Sequence, residues 1–220
     1  AHRLSLGGRA RSQLYFEAAI IGNCALTADS GCAIVRGNTP AYLPPEPCAM
    51  NQVTTTDHYH RDDRLLAWAD QVRASCVPMV FRTESDQGFR GEISSVNTGG
   101  VCVSRISAVD HVAAHDWDDV RRTADDYLLV SIQIEGRGAL EQDARTAFVD
   151  PTDMVLFDSS RHFVWHFSGQ HYTIRFPRQA LEKLVPCGRQ HTAVRIPAAS
   201  GIRRIAADHI ASLHRVLSSD

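Results

Sequence analysis

The chain has 220 residues, of which 44% are hydrophobic and 22% are charged, and its formal net charge at pH 7 is −2. This length and composition are typical of a globular protein with one domain and some additional segments. The near-neutral charge excludes the basic excess that is typical of proteins whose whole surface binds nucleic acid. No apolar run is long enough for a membrane span, and none of the six cysteines lies in a CxxC pair, so we expect a cytoplasmic protein with reduced thiols and no membrane contact.

Residues 1–50 differ from the rest of the chain because no regular apolar spacing runs through them. Four prolines cluster between Pro40 and Pro47, and the first methionine is Met50. We interpret this segment as an extension upstream of a natural start at Met50, or alternatively as a natural but disordered arm. In both cases we expect it to add nothing to the folded domain.

A helix follows a short polar segment. Apolar side chains recur at helical spacing between Leu65 and Cys76, either Asp62 or Asp63 can cap the first turn, and Pro78 ends the helix. Strand-like segments then occupy 79–83, 89–96 and 101–109, with a pair of glycines as the turn between the last two.

The clearest strand covers 127–135, where side chains on the two faces alternate with period two. Gly136 and Gly138 are expected to end this strand. Turn residues recur at Asp143-Ala144, Pro151-Thr152-Asp153 and Ser168-Gly169. Further strands are predicted at 138–142, 145–149, 154–157, 162–167 and 171–176. Eight or more short strands separated by regular turns indicate a β-sandwich or β-barrel.

The pattern becomes helical after Pro177. A short helix is predicted over 179–185, and a longer amphipathic helix covers about Gly201–Leu217. The apolar stripe of the longer helix consists of Ile202, Ile205, Ala206, Ile210, Leu213 and Leu217. An exposed stripe of this size is unfavourable in a soluble monomer, so we expect it to pair two subunits in a homodimer.

Six short motifs follow one another between residues 120 and 161. They are Val120-Arg121-Arg122-Thr123, Asp126-Tyr127-Leu128-Leu129, Gly136-Arg137-Gly138, Gln142-Asp143, Pro151-Thr152-Asp153 and Asp158-Ser159-Ser160-Arg161. No single motif is specific, but their order and spacing resemble the N-terminal, AraC-binding-like sensor domain of AraC/XylS-type transcriptional regulators over about residues 60–217. Two positions depart from the pattern of that group, since Thr152 stands where glycine is usual and His162 where proline is usual.

The resemblance implies a mainly β fold. A cupin-like double-stranded β-barrel, or jelly roll, would cover 51–176, and C-terminal α-helices at 177–220 would form a dimerisation segment. The implied function is that of a regulatory domain that binds a small-molecule effector and pairs subunits. Regulators of this family continue into a C-terminal helix-turn-helix DNA-binding domain, which we do not find in this sequence. Contact with DNA is therefore expected only through that absent domain.

A metal-dependent enzyme of the cupin superfamily, such as a dioxygenase or isomerase, is the alternative interpretation. Such a cupin needs two histidines one residue apart on a strand, a nearby glutamate and a later histidine. His111 and His115 are four residues apart, as are His162 and His166, which separates each pair by about 13 Å along a strand. The serine pair at 159–160 lies in no nucleophile-elbow motif and is more typical of a turn. We therefore expect no catalytic residue, no metal site and no cofactor.

A ligand pocket inside the barrel remains as the candidate functional site. Phe163 and Trp165 share one face of a strand, Tyr172 lies on the next predicted strand, and one such face must fill the barrel. Arg105 and Arg175 are candidates to meet an anionic ligand. Alternatively, the aromatic side chains form ordinary core and the arginines are solvated. These five residues are the candidate ligand-binding residues.

Overall fold

The computed structural model describes residues 33–36, 52–83, 85, 88–122, 126–183, 189–198 and 200–217. The strands are β1 (Ala33–Arg36), β2 (Gln52–Thr55), β3 (Val80–Thr83), β4 (Gly91–Thr98), β5 (Val101–His115), β6 (Tyr127–Gln142), β7 (Arg145–Val149), β8 (Met154–Asp158), β9 (Phe163–Pro177) and β10 (Arg195–Ile196). The α-helices in these ranges are α1 (Arg64–Ser75), α2 (Trp117–Arg122), α3 (Arg178–Glu182) and α4 (Gly201–Leu217).

The ten strands form one antiparallel sheet in the order β1-β3-β5-β9-β6-β8-β10, to which β4 adds beside β5, β2 beside β4 and β7 beside β6. The long strands β5, β9 and β6 lie in the middle. The first part of β5 pairs with β4 and its last part with β3, while β6 pairs first with β8 and then with β7. The sheet therefore has two halves that share the three long strands, and the predicted double-stranded β-barrel is confirmed.

The two halves fold over each other at a pair of β-bulges. The register shifts on β5 between Ala108 and His111, and on β6 between Gln133 and Glu135, at the same level on both sides of β9. Bulges bend a strand and increase its twist. The bend brings the inner faces together, since Phe157 of the first half stacks on Trp165 of the second with ring centroids 6.2 Å apart.

Two glycines make this bend possible. Gly136 on β6 and Gly169 on β9 are paired, with φ of 78° and 104°. A Cβ at Gly136 would lie 2.2 Å from the carbonyl oxygen of Ser168, so no larger residue fits without a backbone shift. The sequence predicted a strand end at Gly136 and a turn at Ser168-Gly169. Both predictions are wrong, because β6 and β9 continue through these glycines, which lie next to the bulge where the two strands are in close contact.

Two short strands lie in segments that the sequence left outside the regular fold. The backbone of β1 pairs with β3, and that of β2 pairs with β4. The expectation that residues 1–50 add nothing to the domain therefore does not hold for residues 33–36, and the rest of that segment lies outside the described residues. Four-residue strands are too short to reveal a period-two pattern, which explains why they were missed.

The two long helices are confirmed close to their predicted bounds, and each covers one face of the sheet. Helix α1 packs Trp68 and Val72 into the inner core with Phe81 and Phe89. Helix α4 covers the outer face, where Ala207 and the partly buried Ile210 and Leu213 pack against a second apolar cluster formed by Val103, Ile132, Met154, Ile174 and Ala198. None of the helices described is long and apolar enough to cross a membrane.

The turn before β8 holds a threonine in the left-handed region of the backbone. Thr152 has φ of 78°. The amide of Asp153 donates to the carbonyl oxygen of Asp150 at 2.9 Å, and the Asp153 carboxylate accepts from the Asp150 amide at 2.9 Å, so the turn is firmly closed. The sequence left open whether this threonine avoids a positive φ or is strained, and the structure shows the strained alternative.

We expect Thr152→Gly to stabilise the chain by about 1 kcal/mol, because glycine adopts this φ without steric cost. In a chain of this size the corresponding rise in Tm is about 3 °C. Thr146→Gly, at an exposed position of β7, is the matched control and should lower Tm, since there glycine only increases the freedom of the unfolded chain. A fall in Tm for Thr152→Gly would contradict the strain.

Candidate functional site

A row of hydroxyl side chains crosses the inner face of the first half of the sheet. Ser95 on β4 is paired with Ser104 on β5, which is paired with Thr173 on β9, and Thr173 is paired with Ser131 on β6. All four side chains are buried. Buried polar groups are costly unless they form hydrogen bonds. A continuous row of four hydroxyls therefore gives this interior an unusual hydrogen-bonding surface, called the hydroxyl row below.

The hydroxyl row is bonded internally and to the end of helix α1. The Ser95 hydroxyl donates to the Ser75 hydroxyl at 2.7 Å and lies 2.9 Å from that of Ser104. The hydroxyl oxygens of Ser131 and Thr173 are 3.3 Å apart. Each hydroxyl can both donate and accept, so the row can rearrange its hydrogen bonds around a polar molecule.

Arg175 lies beside the hydroxyl row, two residues along β9 from Thr173, and is only 4% exposed. Its Nη1 donates to the carbonyl oxygen of Cys76 at 2.8 Å, and its guanidinium lies over the Tyr127 ring, 4.7 Å from the centroid. Its Nε is buried and has no hydrogen-bond partner. In the part of the chain that the structure describes, no carboxylate pairs with this arginine. Arg175 can therefore still accept an anionic partner.

A second polar group occupies the inner face at the level of the bulges. His171 on β9 and Gln133 on β6 are paired and almost fully buried. The Gln133 side-chain amide donates to the carbonyl oxygen of Glu135 at 2.7 Å, but its Oε1 has no partner, and neither does His171 Nδ1. The nearby His111 donates from Nδ1 to the carbonyl oxygen of Val109 at 2.8 Å. Two neighbouring side chains thus offer unused hydrogen-bonding atoms.

Burial lowers the pKa of both interior histidines. Burial, together with the proximity of His111, lowers the pKa of His171 to about 3. Burial lowers the pKa of His111 to about 4, although its hydrogen bond to Val109 and the charge of Asp110 act in the opposite direction. Both rings are therefore neutral at pH 7, and Arg175 supplies positive charge to the inner face.

The structure divides the five candidate ligand-binding residues between the two faces of the sheet. Phe163, Trp165 and Arg175 are on the inner face. Arg105 and Tyr172 are paired with each other on the outer face, where Arg105 is exposed and Tyr172 packs near α4. Because β9 continues through the predicted turn at Ser168-Gly169, its odd-numbered residues from 163 to 175 share one face.

The hydroxyl row, Gln133 and His171 were missed in the sequence. The alternation along β6 put Ser131 and Gln133 on one face, but a polar strand face is normally the solvent face. A signal did exist. The residues that alternate with Ser131 and Gln133, on the other face of β6, are apolar, and the amphipathic helix near the C-terminus can cover such a face from outside. The polar residues of the strand then point into the interior.

The serine pair forms a turn, as predicted. The carboxylate of Asp158 accepts from the Ser160 amide at 2.9 Å and from Arg161 Nη2 at 2.7 Å, while the Ser159 hydroxyl donates to the carbonyl oxygen of Tyr127 at 3.1 Å. These bonds fix the loop between β8 and β9. Throughout the described ranges, no three His, Cys, Asp or Glu side chains come together as metal ligands.

Helix α4 presents part of its apolar surface away from the sheet. Of the predicted stripe, Ile210 and Leu213 are half-buried against the outer face, and the side chain of Leu217 lies outside the described residues. The large apolar side chains of this helix that remain exposed are Ile202 (77%), Ile205 (64%) and Val216 (62%). The predicted stripe is thus divided, since Ile210 and Leu213 contact the barrel whereas Ile202 and Ile205 are exposed. Val216, which was not part of the predicted stripe, is also exposed.

Known proteins resemble this chain in sequence and in fold. A protein described as "Uncharacterized protein in nit 5'region" from Bacillus sp. (strain OxB-1) is 27% identical over 134 residues, which are 60% of this chain and 52% of that protein. The chain therefore spans about half the length of this curated relative. The crystal structure of the AraC-like transcriptional activator CuxR matches 75% of this chain and 60% of its own, with a TM-score of 0.64 at 14% identity. At this identity the likeness shows the fold alone.

The sequence pattern of the AraC-binding-like domain matches residues 68–220, which is more than half of the chain. The matched range includes most of α1, the barrel strands from β3 onward and helix α4. This match confirms the resemblance to AraC/XylS-type regulators, and with it the regulatory type of domain, that the motifs predicted. The chain belongs to the AraC-binding-like domain family.

Proposed function

We propose that this chain is the effector-binding and dimerisation unit of an AraC-type transcriptional regulator, acting in the cytoplasm and reaching DNA through a separate helix-turn-helix domain. The observation that carries the proposal is the polar inner face of a barrel that belongs to the AraC-binding-like family. The proposal assigns binding of a small molecule, rather than catalysis, to this face.

Unused hydrogen-bonding atoms on the inner face support a binding role. Arg175 Nε, Gln133 Oε1 and His171 Nδ1 are buried without partners. Each such atom costs about 1–3 kcal/mol of stability. A ligand that bonds to them offsets this cost, so the interior favours a polar occupant. Small β-barrels can hold one small ligand inside.

Strand β4 connects the inner face to the helix that would pair subunits. Ser95 belongs to the hydroxyl row on the inner face, and its neighbour Ser94 points outward. The carbonyl oxygen of Ser94 accepts from Nε2 of His214 in α4 at 3.0 Å. A shift of β4 on ligand binding would therefore reach α4 directly, which is the type of coupling that a regulatory domain needs.

The exposed stripe of α4 supports pairing of two subunits. Ile202 and Leu213 are eleven residues apart, as are Ile205 and Val216, and this spacing corresponds to three helical turns. All four therefore lie along one side of the helix, next to the side that contacts the barrel. Two copies of α4 packed along this stripe would bury it in a symmetric interface.

The combined substitution Ile205→Glu and Val216→Glu is expected to give a folded monomer. Two buried like charges would face their copies across the two-fold axis, so we expect the dissociation constant of the dimer to rise at least about 100-fold. Multi-angle light scattering measures the mass, and far-UV circular dichroism checks the fold. The native chain should be dimeric under the same conditions.

An exchanged ion pair on the same helix is the matched control. Arg204 Nε and Asp208 Oδ2 are 2.9 Å apart on an exposed flank of α4, and Arg204→Glu with Asp208→Arg retains that pair while making two substitutions. This variant should remain dimeric. Ile210 and Leu213 are unsuitable targets because they also contact the barrel. A monomeric native chain, or a dimeric Glu variant, would contradict the interface.

A reporter assay tests subunit pairing by this chain inside a cell. The chain is fused to a repressor DNA-binding domain that occupies its operator only as a dimer. We expect the native fusion to repress the reporter, the Ile205→Glu, Val216→Glu fusion to lose repression, and the ion-pair control to retain it. Equal reporter output from the native fusion and the unfused DNA-binding domain would contradict the proposed dimerisation.

A further inference from the structure

We infer that the inner face of the barrel binds a small organic monocarboxylate, with Arg175 as its counter-ion. This inference rests on the proposed effector-binding function and specifies the chemical class of the effector. It is carried by the state of Arg175, by its place beside the hydroxyl row, and by a comparison with the other poorly exposed arginines of the same chain.

Two other poorly exposed arginines of this chain pair with carboxylates. The side chain of Arg161 is 11% exposed and pairs with Asp158 at 2.7 Å and also with Asp143. The side chain of Arg178 is 16% exposed and also pairs with Asp158. Burial of a guanidinium without a carboxylate is costly. Arg175, at 4% exposure, is more buried than either and has no carboxylate partner among the residues described.

The free edge of Arg175 has the shape that a carboxylate fits. Its Nη1 donates to the carbonyl oxygen of Cys76, and one flat face of the guanidinium lies against the Tyr127 ring. The N–H at Nε is unpartnered. In a guanidinium, Nε and the adjacent Nη2 present two parallel donors, which bind a carboxylate in a bidentate manner.

The hydroxyl row provides further donors next to this edge. Thr173 is two residues from Arg175 on the same strand face, which is roughly 7 Å at the backbone. Ser104 is the cross-strand partner of Thr173, and both are buried. A carboxylate at Arg175 would therefore have hydroxyl donors nearby on the same inner face.

The charge of the inner face favours a monoanion over a phosphate. His111 and His171 are neutral at pH 7 because burial lowers the pKa of each. Arg175 thus supplies one positive charge, which balances one carboxylate. A phosphate carries up to two charges and usually requires several cationic groups or a helix N-terminus. One buried arginine beside hydroxyls is better matched to a monocarboxylate.

The last turn of α1 closes this end of the interior. The carbonyl oxygen of Cys76 holds Arg175, and the Ser75 hydroxyl holds Ser95 of the hydroxyl row. A carboxylate on the free edge of Arg175 would lie next to these two contacts. A shift of the end of α1 on binding would be passed through Ser75 to β4, whose outer side contacts His214 of α4.

Isothermal titration calorimetry with pairs of acids and amides tests the inference on the native chain. Sodium hexanoate and sodium benzoate are compared with hexanamide and benzamide, which have the same shape without the charge. We expect saturable binding of at least one acid below 10 mM, and at least about tenfold weaker binding of its amide. Thermal unfolding with the same four compounds provides a second measurement, since a ligand that binds the folded state raises Tm.

Arg175→Gln is expected to weaken binding of that acid at least tenfold. Arg105→Gln is the matched control, because Arg105 is on the neighbouring strand but on the opposite face of the sheet, and it should leave affinity within about twofold. Arg175→Lys retains the charge without the two-donor edge and should bind with intermediate affinity. If circular dichroism shows that Arg175→Gln does not fold, the Lys variant and the comparison of acid with amide decide the question.

The outcomes separate this inference from the proposed function. Equal affinity for acid and amide would overturn the carboxylate inference and leave effector binding intact. Absence of binding of all four compounds, native affinity in the Gln and Lys variants, or loss of binding in Arg105→Gln would also overturn it. The light-scattering and reporter measurements with α4 variants do not depend on the ligand, so they decide the dimerisation part of the proposed function independently.

Discussion

Replacement of Gly169 by alanine is expected to destabilise the chain by about 4 kcal/mol or more, with a fall in Tm of about 10 °C. Two effects combine. The φ of Gly169 is 104°, a conformation that residues with a Cβ rarely adopt. A Cβ at this position would also lie 2.2 Å from the carbonyl oxygen of Glu135, which belongs to the backbone of β6 and cannot move aside alone.

Gly99→Ala separates these two effects. Gly99 also has a positive φ, 58°, but a Cβ there would meet no atom within 4 Å. Its replacement should cost only the conformational strain, about 1 kcal/mol. Differential scanning calorimetry of both variants measures the difference. Similar Tm values for Gly169→Ala and Gly99→Ala would show that a side chain fits at position 169 and that the bend in the sheet does not require glycine there.

Much of the fold could be predicted because most elements carry a local signal. The period-two pattern over 127–135 located the first half of β6, and the helical spacing of apolar residues located α1 and α4. The hairpin at Asp143-Ala144 is confirmed, with φ of 54° and 58° at the two turn residues. These features depend on residues close together in sequence, which is the information that a single sequence contains.

The errors in the fold arose where one local signal has two physical causes. Glycine next to polar residues is typical of a turn, and Ser168-Gly169 was interpreted in that way. Glycine is equally required where a bulged strand lies unusually close to its neighbour, as Gly136 and Gly169 show. Only the partner strand distinguishes the two cases, and that partner is more than 30 residues away in the chain.

The candidate site was predicted in part for a related reason. Alternation tells which residues share a face but does not tell which face is inside. On β6 the apolar Val130 and Ile132 belong to the outer cluster that α4 covers, while Ser131 and Gln133 point into the barrel. Arg175 was identified as a candidate, whereas the hydroxyl row became visible only when β4, β5, β9 and β6 were placed in register.

Acid is expected to destabilise the chain through the two interior histidines. Their pKa values in the folded chain, about 4 for His111 and about 3 for His171, lie below the ordinary value of 6.5. As the pH falls below about 6.5, each imidazole takes up a proton in the unfolded chain but not in the folded chain. Stability is therefore fully present above about pH 7, decreases as the pH falls toward the folded-state pKa values, and receives no further loss from these groups below them.

Each histidine is expected to remove about 2 kcal/mol of stability between pH 7.5 and pH 5.0. His111→Gln and His171→Gln should each reduce the loss over this interval by that amount, because glutamine does not take up a proton. Urea unfolding at the two pH values measures the loss, and comparison with the native chain cancels the contribution of all other titrating groups. His209→Gln, at an exposed position of α4, is the control and should show the native loss. If both interior variants also lost as much stability as the native chain, the histidines would not be held neutral by burial. At pH 5.0 the inner face would then carry positive charge from these two rings as well as from Arg175.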